Sequence, residues 1–186
     1  MTKKKNELWE WTKALLIAVA LAAVIRYFLF APIVVDGLSM MPTLKDQDRM
    51  IVNKLSYRIG EPKRFDIIVF HAPEKKDYIK RVIGLPGDRI EYKNDTLYVN
   101  GKAYKEPYLD QYKSEVADGP LTDDFKLEET AVGSKTVPKG ELFVMGDNRR
   151  YSKDSRHIGA IPMSKVIGKA TIVFWPISDA HIVKLK

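Results

Sequence analysis

The chain has 186 residues, a formal net charge of +7 and no cysteine. That length suits one domain plus a further segment, and the missing thiols exclude cysteine nucleophiles, disulfides and thiolate metal centres. The basic balance suits nucleic acid or anionic lipid. Apart from Lys3-Lys4-Lys5 the cations are scattered, which favours a solvated, lipid-tolerant surface and no nucleic-acid partner.

The first element is apolar. Between Ala14 and Val35 the sole charge is Arg26. A helix over about Leu8 to Phe30 would rise roughly 33 Å, enough to cross a hydrocarbon core. Trp9 and Trp11 fall where one aromatic belt belongs, and Tyr27, Phe28 and Phe30 where the other does. Arg26 can snorkel to the headgroups, and Pro32 stops the helix. Lys3, Lys4, Lys5 and Lys13 precede the span. Residues 1–12 are therefore expected as a cytoplasmic tail, 13–31 as a single transmembrane anchor, and 32–186 as an extracytoplasmic domain. A cleaved secretory signal competes, since Ala14 to Ile25 has the right length, but bulky Arg26-Tyr27-Phe28-Leu29-Phe30 and Pro32 offer no small-x-small cleavage site. A buried core helix is a third reading.

Beyond Pro32 the pattern is one of strands and turns. Ile33-Val34-Val35, Met50-Ile51-Val52, Asp66 to Phe70, Tyr78 to Gly84, Arg89 to Lys93, Thr96 to Val99, Leu142 to Met145 and Ala170 to Phe174 are β-type runs. Asn94-Asp95 and Asn100-Gly101 read as hairpin turns. No strong helical period follows Pro32. The expected fold is mainly β, a coiled or barrel-like antiparallel domain carrying one N-terminal transmembrane helix. Residues 106–136, polar and poor in strand runs, read as a surface insertion.

The chemistry narrows by elimination. There is no H-E-x-x-H, and His71, His157 and His181 lack ligand spacing, so neither a metal nor another cofactor is expected. Gly37-Leu38-Ser39-Met40-Met41 lacks the second glycine of a nucleophile elbow. No serine has a lysine three residues later, and no phosphate loop is present. Ser39, close beyond the apolar segment, needs a base. His71 or His157 could serve in principle, but Lys80 lies in an apolar strand. Burial can lower a lysine pKa from about 10.4 by up to 3–5 units, which would let Lys80 accept the Ser39 proton and return one to the leaving amine. A strand running into Gly146-Asp147-Asn148-Arg149 and on to Arg156 adds a dense polar turn that can cradle the lysine.

Three stretches together resemble type I signal peptidases, the membrane serine proteases that remove signal peptides. Ser39-Met40-Met41-Pro42-Thr43 matches the family's S-M-x-P-T box. Lys80-Arg81-Val82-Ile83-Gly84-Leu85-Pro86-Gly87-Asp88 matches its lysine box. Gly146-Asp147-Asn148-Arg149 with Ser152, Asp154, Ser155 and Arg156 matches G-D-N-R-x-x-S-x-D-S-R. Arg64 to Phe70 is similar to an R-G-D-I-V box, with Phe65 where glycine is usual. The single anchor and small domain resemble the short Gram-positive form.

The resemblance implies Ser39 as nucleophile, Lys80 as general base and Ser152 as the group that orients its amine. It implies a supporting ion-pair network of Asp147, Arg149, Asp154 and Arg156. Ile33, Val35, Met40, Leu44 and Ile79 would line shallow pockets for small residues at P1 and P3, so that Ala-x-Ala sites are cleaved. The Ser39 N–H would be one oxyanion donor. Some relatives supply a second from a serine where this chain has Gly37. The partners implied are preprotein signal peptides, the bilayer and proximity to the secretion translocase. Two rivals remain: a self-cleaving Ser/Lys repressor-type protease, which would need a DNA-binding module, and a membrane-tethered β domain that binds without catalysis.

Overall fold

The computed structural model describes residues 7–183. It opens with helix α1, Glu7–Phe28. The strands follow in order: β1 Phe30–Val34, β2 Arg49–Asn53, β3 Ile67–His71, β4 Asp77–Gly84, β5 Ile90–Lys93, β6 Thr96–Val99, β7 Lys102–Tyr104, β8 Phe125–Lys126, β9 Glu141–Met145, β10 Ile161–Pro162, β11 Val166–Trp175 and β12 His181–Ile182. Beyond α1 the helices are short, the longest being Asp110–Glu115.

The helix expected near the N-terminus forms, but among the described residues no helix is long and apolar enough to cross a membrane. Within α1, Lys13 and Arg26 bracket an uncharged run of 12 residues, about 18 Å of helix.

The strands build two antiparallel sheets. The larger has the order β1-β2-β11-β3-β4-β9-β10, with β12 on β11; the smaller has the order β7-β6-β5-β8. Register shifts within β11 and between β4 and β9 bend the large sheet into an open curl. β3 shows why its sequence is apolar without alternation. Ile67 and Val69 pack into one core cluster and Ile68 and Phe70 into another, so both faces are covered. β1 tolerates Pro32 because it is an edge strand, paired only with β2. A third cluster joins the sheets: Tyr92, Leu97 and Val99 of the small sheet pack on Ile83, Phe143 and Met145 of the large one. Gly84 permits this closeness, since a Cβ there would stand 2.9 Å from Val137 and 3.0 Å from Phe143. Both expected turns form with positive φ at their central residues: Asn94 and Asp95, then Asn100 and Gly101.

Residues 106–136 are more than a surface insertion. β8 adds a strand to the small sheet, and Leu109, Leu121, Leu127, Glu106 and Thr122 are buried. Their anchors are single residues in and between short helical turns, too sparse to show a period.

Candidate active site

Ser39 lies on the loop between β1 and β2. Backbone bonds from Val35 to Asp48 and from Gln47 back to Val35 close the loop's base, and the Gly37 N–H is held by the Asp46 carboxylate at 2.8 Å. Met40 and Leu44 sink into the core and seat the loop. From the other side, Asn148 donates its N–H to Ser39 O and its side-chain amide to Leu38 O, both at 3.1 Å.

Lys80 lies on β4 opposite Ile68, so it shares a sheet face with Tyr78 and Val82. Its amine is 2.7 Å from Ser39 Oγ and 2.9 Å from the carbonyl of Ile79. The Tyr78 ring centroid is 5.1 Å away, and only 4% of the residue is exposed. Burial lowers the Lys80 pKa from 10.5 to about 8, against the opposing charges of Asp154 and Asp147. His71 instead pairs with Asp77 on the surface, and His157 is exposed; neither bonds Ser39.

The turn after β9 closes the back of this site, though not as a mutual network of its own four charges. Asp147 pairs with Arg81, which donates to both carboxylate oxygens at 2.8 and 2.6 Å, and Thr43 donates to the same carboxylate. Arg149 pairs with Glu106 at 2.6 Å. Only Asp154 and Arg156 pair with each other. Burial would raise Asp154, but Arg156 outweighs it through hydrogen bonds and charge, and the Gly146 N–H adds to the net lowering. The two acids that act on Lys80 therefore carry local countercharges.

Ser152 is buried at the turn; its hydroxyl makes no hydrogen bond to Lys80, and its influence falls instead on Asp154, whose carboxyl it helps hold low. It packs against Gly146, where an added Cβ would stand 2.3 Å from Ser152 Oγ. A cleft of about 610 Å³ opens beside Ser39 and Lys80. Ile33, Val35, Met40 and Ile79 line it together with Val69, Tyr78 and Tyr151. Leu44 does not: it is wholly buried in the core beneath the Ser39 loop. Among the described residues no cluster of His, Asp or Glu could hold a metal ion.

Residues 8–175 match the family described as signal peptidase, peptidase S26. The chain belongs to this family. A signal peptidase I from Bacillus caldolyticus is 55% identical over 179 residues, 95% of this chain and 96% of the relative. A signal peptidase IB from Staphylococcus aureus is 42% identical over 178 residues, 94% and 93% of the two chains. The crystal structure of a signal peptidase I from Enterococcus faecalis V583 aligns with a TM-score of 0.57 at 45% identity, covering 59% of this chain and 97% of that one. As a member of this peptidase family, the chain is a serine endopeptidase.

Within this signal peptidase framework, Phe65 stands at the second position of the stretch that resembles an R-G-D-I-V box. Its φ is +68°, a conformation glycine adopts freely. Its carbonyl accepts from Arg81 at 3.0 Å, and its ring packs against Tyr104 and Tyr108, which offsets the backbone cost. Sequence reasoning missed Arg81, Glu106, Tyr92 and Tyr108 as parts of the site. Arg81 had a visible signal, since it follows Lys80 and so points to the opposite face. Glu106 and Tyr108 had none, because their partners lie 43 and 41 residues away.

Proposed function

We propose that this chain is a membrane-held endopeptidase that removes N-terminal signal peptides from exported preproteins, with Ser39 as nucleophile and Lys80 as general base. The observation that carries this reading is the 2.7 Å separation of Lys80 Nζ and Ser39 Oγ in a place where burial brings the amine to about pKa 8. At pH 7 roughly a tenth of such amines are neutral, against fewer than about one in a thousand for an ordinary lysine. The neutral amine takes the Ser39 proton as Oγ attacks the scissile carbonyl. The developing oxyanion is received by the Ser39 N–H. The ammonium then protonates the leaving amine, and the freed lysine activates the water that hydrolyses the acyl-enzyme. Gly37 has no hydroxyl to offer, and its N–H is committed to Asp46.

Substrate class follows from the cleft. Its walls pair the end of β1, Val34 to Asp36, with the start of β4, Asp77 to Ile79. An extended peptide can lie between two such backbones. The apolar lining of Ile33, Val35, Met40 and Ile79 favours small side chains at P1 and P3, the Ala-x-Ala pattern. Ser152, buried on the turn beside Gly146, is read as the group that orients the lysine amine during turnover, and Asp147, Arg149, Asp154 and Arg156 hold that turn in place.

Membrane attachment is supported by α1. Leu15, Leu16, Ile17, Val19, Leu21 and Val24 project uncovered by the rest of the chain, and Lys13 and Arg26 have stems long enough to snorkel. In this reading residues 1–12 are cytoplasmic and 32–186 extracytoplasmic. Ser39 follows Phe28 by 11 residues, at most about 40 Å of chain, so enzyme and signal peptide meet at one bilayer surface. Phe30, Val34 and Leu38 stand exposed on that stretch.

The test is cleavage of a preprotein with an Ala-x-Ala site by the full chain in detergent and in anionic lipid vesicles. Cleavage after the second alanine, lost in Ser39→Ala and stimulated by vesicles, supports each part. Cleavage by Ser39→Ala sinks the nucleophile assignment, and activity indifferent to lipid with no vesicle binding sinks the membrane assignment.

A further inference from the structure

The segment leaving the small sheet makes a buried contact that the dyad does not explain. Glu106 is 6% exposed, and all its hydrogen bonds converge on Oε1: from Arg149 Nη2 at 2.6 Å, Tyr108 OH at 2.6 Å and Tyr92 OH at 2.8 Å. Burial would raise this carboxyl, but Arg149 and the two phenols outweigh it and hold it below its ordinary value. Arg149 also donates through Nη1 to Tyr92 OH at 2.6 Å and through Nε to Gly146 O at 3.1 Å. Two positions on, the Tyr108 ring lies on the Arg81 guanidinium, 3.7 Å from ring centroid to Cζ. Arg81 in turn grips Asp147 and follows Lys80 directly in the chain.

We infer that Glu106 and Tyr108 are positioning residues for Lys80, holding the Gly146–Ser152 turn and Arg81 against the back of the dyad. This rests on Lys80 acting as the base. Two chains of contact reach it. One runs from Glu106 through Arg149 to Gly146, whose neighbours are Ser152 and the Ser39 carbonyl. The other runs from Tyr108 through Arg81 to Asp147. Two buried arginine–carboxylate pairs, Arg81–Asp147 and Arg149–Glu106, and a part-buried third, Arg156–Asp154, balance one another's charge. Removing one carboxylate leaves a guanidinium unpaired in a closed site, and it must move toward water. Arg149 cannot do so without dragging the turn, since Arg156 also donates to its backbone carbonyl at 2.6 Å.

The charges around Lys80 define what a moved turn would do. Arg81 lies on its own strand, Asp147 and Arg149 on the turn, Asp154 and Arg156 on the following helix, Glu106 on the small-sheet segment, and Lys76, Asp77 and Lys153 at the cleft mouth. Displacing the turn admits water behind Lys80 and weakens its desolvation, so the amine titrates higher.

The experiment uses the full chain in detergent with an Ala-x-Ala peptide, measuring kcat and KM from pH 6 to 10 for wild type, Glu106→Gln and Tyr108→Phe. Expected is a kcat at least about tenfold lower for Glu106→Gln, and a few-fold lower for Tyr108→Phe, with KM changed less than about twofold. In both, the midpoint of the alkaline rise moves up by half a pH unit or more. Folded variants with wild-type kcat and an unmoved midpoint, losing thermal stability alone, overturn the inference. A midpoint that falls also overturns it, since these residues would then act through charge and not position. If Glu106→Gln does not fold, Tyr108→Phe decides. A Lys80→Ala control separates the failures: retained cleavage there removes the base and this inference with it, whereas a silent Glu106→Gln removes this inference alone.

Discussion

Gly146 and Ser39 touch with no room between them: a Cβ on Gly146 would stand 2.4 Å from the Ser39 carbonyl oxygen and 2.6 Å from Ser152 Cβ. The Ser39 loop and the turn after β9 are thus packed backbone to backbone, and the distance from Ser39 to Lys80 depends on that packing. Gly146→Ala forces one of the two loops to shift. We expect kcat/KM to drop by about a hundredfold or more, since displacements near 1 Å at a reacting pair carry such costs. Steady-state kinetics on a folded variant checks it, and activity within twofold of wild type would show that the packing is not decisive.

The dyad makes a pH prediction. With Lys80 at about 8, the neutral fraction rises about fivefold between pH 7 and pH 8 and levels off near pH 9. The rate should follow that curve. Lys80→Arg should lose about a thousandfold or more at every pH, because a guanidinium stays protonated. A pH–rate profile flat from 6 to 9 would exclude a titrating lysine base.

Stability should respond to the same group. Lys80 is depressed to about 8 when folded, against about 10.4 when unfolded. Between these values the unfolded chain binds more protons, so raising the pH favours the folded state. Below pH 8 the buried ammonium costs on the order of 3 kcal/mol, and this cost is relieved as pH climbs from about 8 toward 10. Tyr92 and Tyr108, raised mainly by burial, reverse the trend above about pH 10, where unfolded tyrosines ionise. Urea titrations of Ser39→Ala with and without Lys80→Met isolate the effect: the difference between them should shrink over pH 8–10 and stay constant below pH 7.

The Arg81–Asp147 pair lies at 1% and 0% side-chain exposure. Asp147→Asn leaves the guanidinium unpaired and should destabilise by about 3–5 kcal/mol, while Arg81→Met with Asp147→Leu together should cost far less than the two single changes added. A double-mutant cycle in urea measures this, and additive single effects would show that the pair is not coupled.

Much of this was legible in the residues. The alternation and turn chemistry of Thr96 to Val99 and Asn100-Gly101 specify a hairpin locally, because strand period and positive φ are properties of neighbours in sequence. Ser39, Lys80 and the Gly146–Arg156 turn were legible through resemblance. Leu44 was misread because an apolar residue beside a nucleophile can face either the cleft or the core, and only packing chooses. α1 was placed correctly as a helix, but among the described residues no helix is long and apolar enough to cross a membrane.

By itself the sequence determined eight of the twelve described strands, two hairpin turns and the residue types needed for hydroxyl attack. Tertiary structure alone decided which charges meet. Asp147 could have paired with Arg149 two residues away, yet it takes Arg81, and Arg149, at the start of a 3-10 turn, takes Glu106, because buried charges must find the partner that faces them across the core. Those long-range pairings bring two aspartates within reach of Lys80 yet leave its amine dry enough to be about half neutral near pH 8.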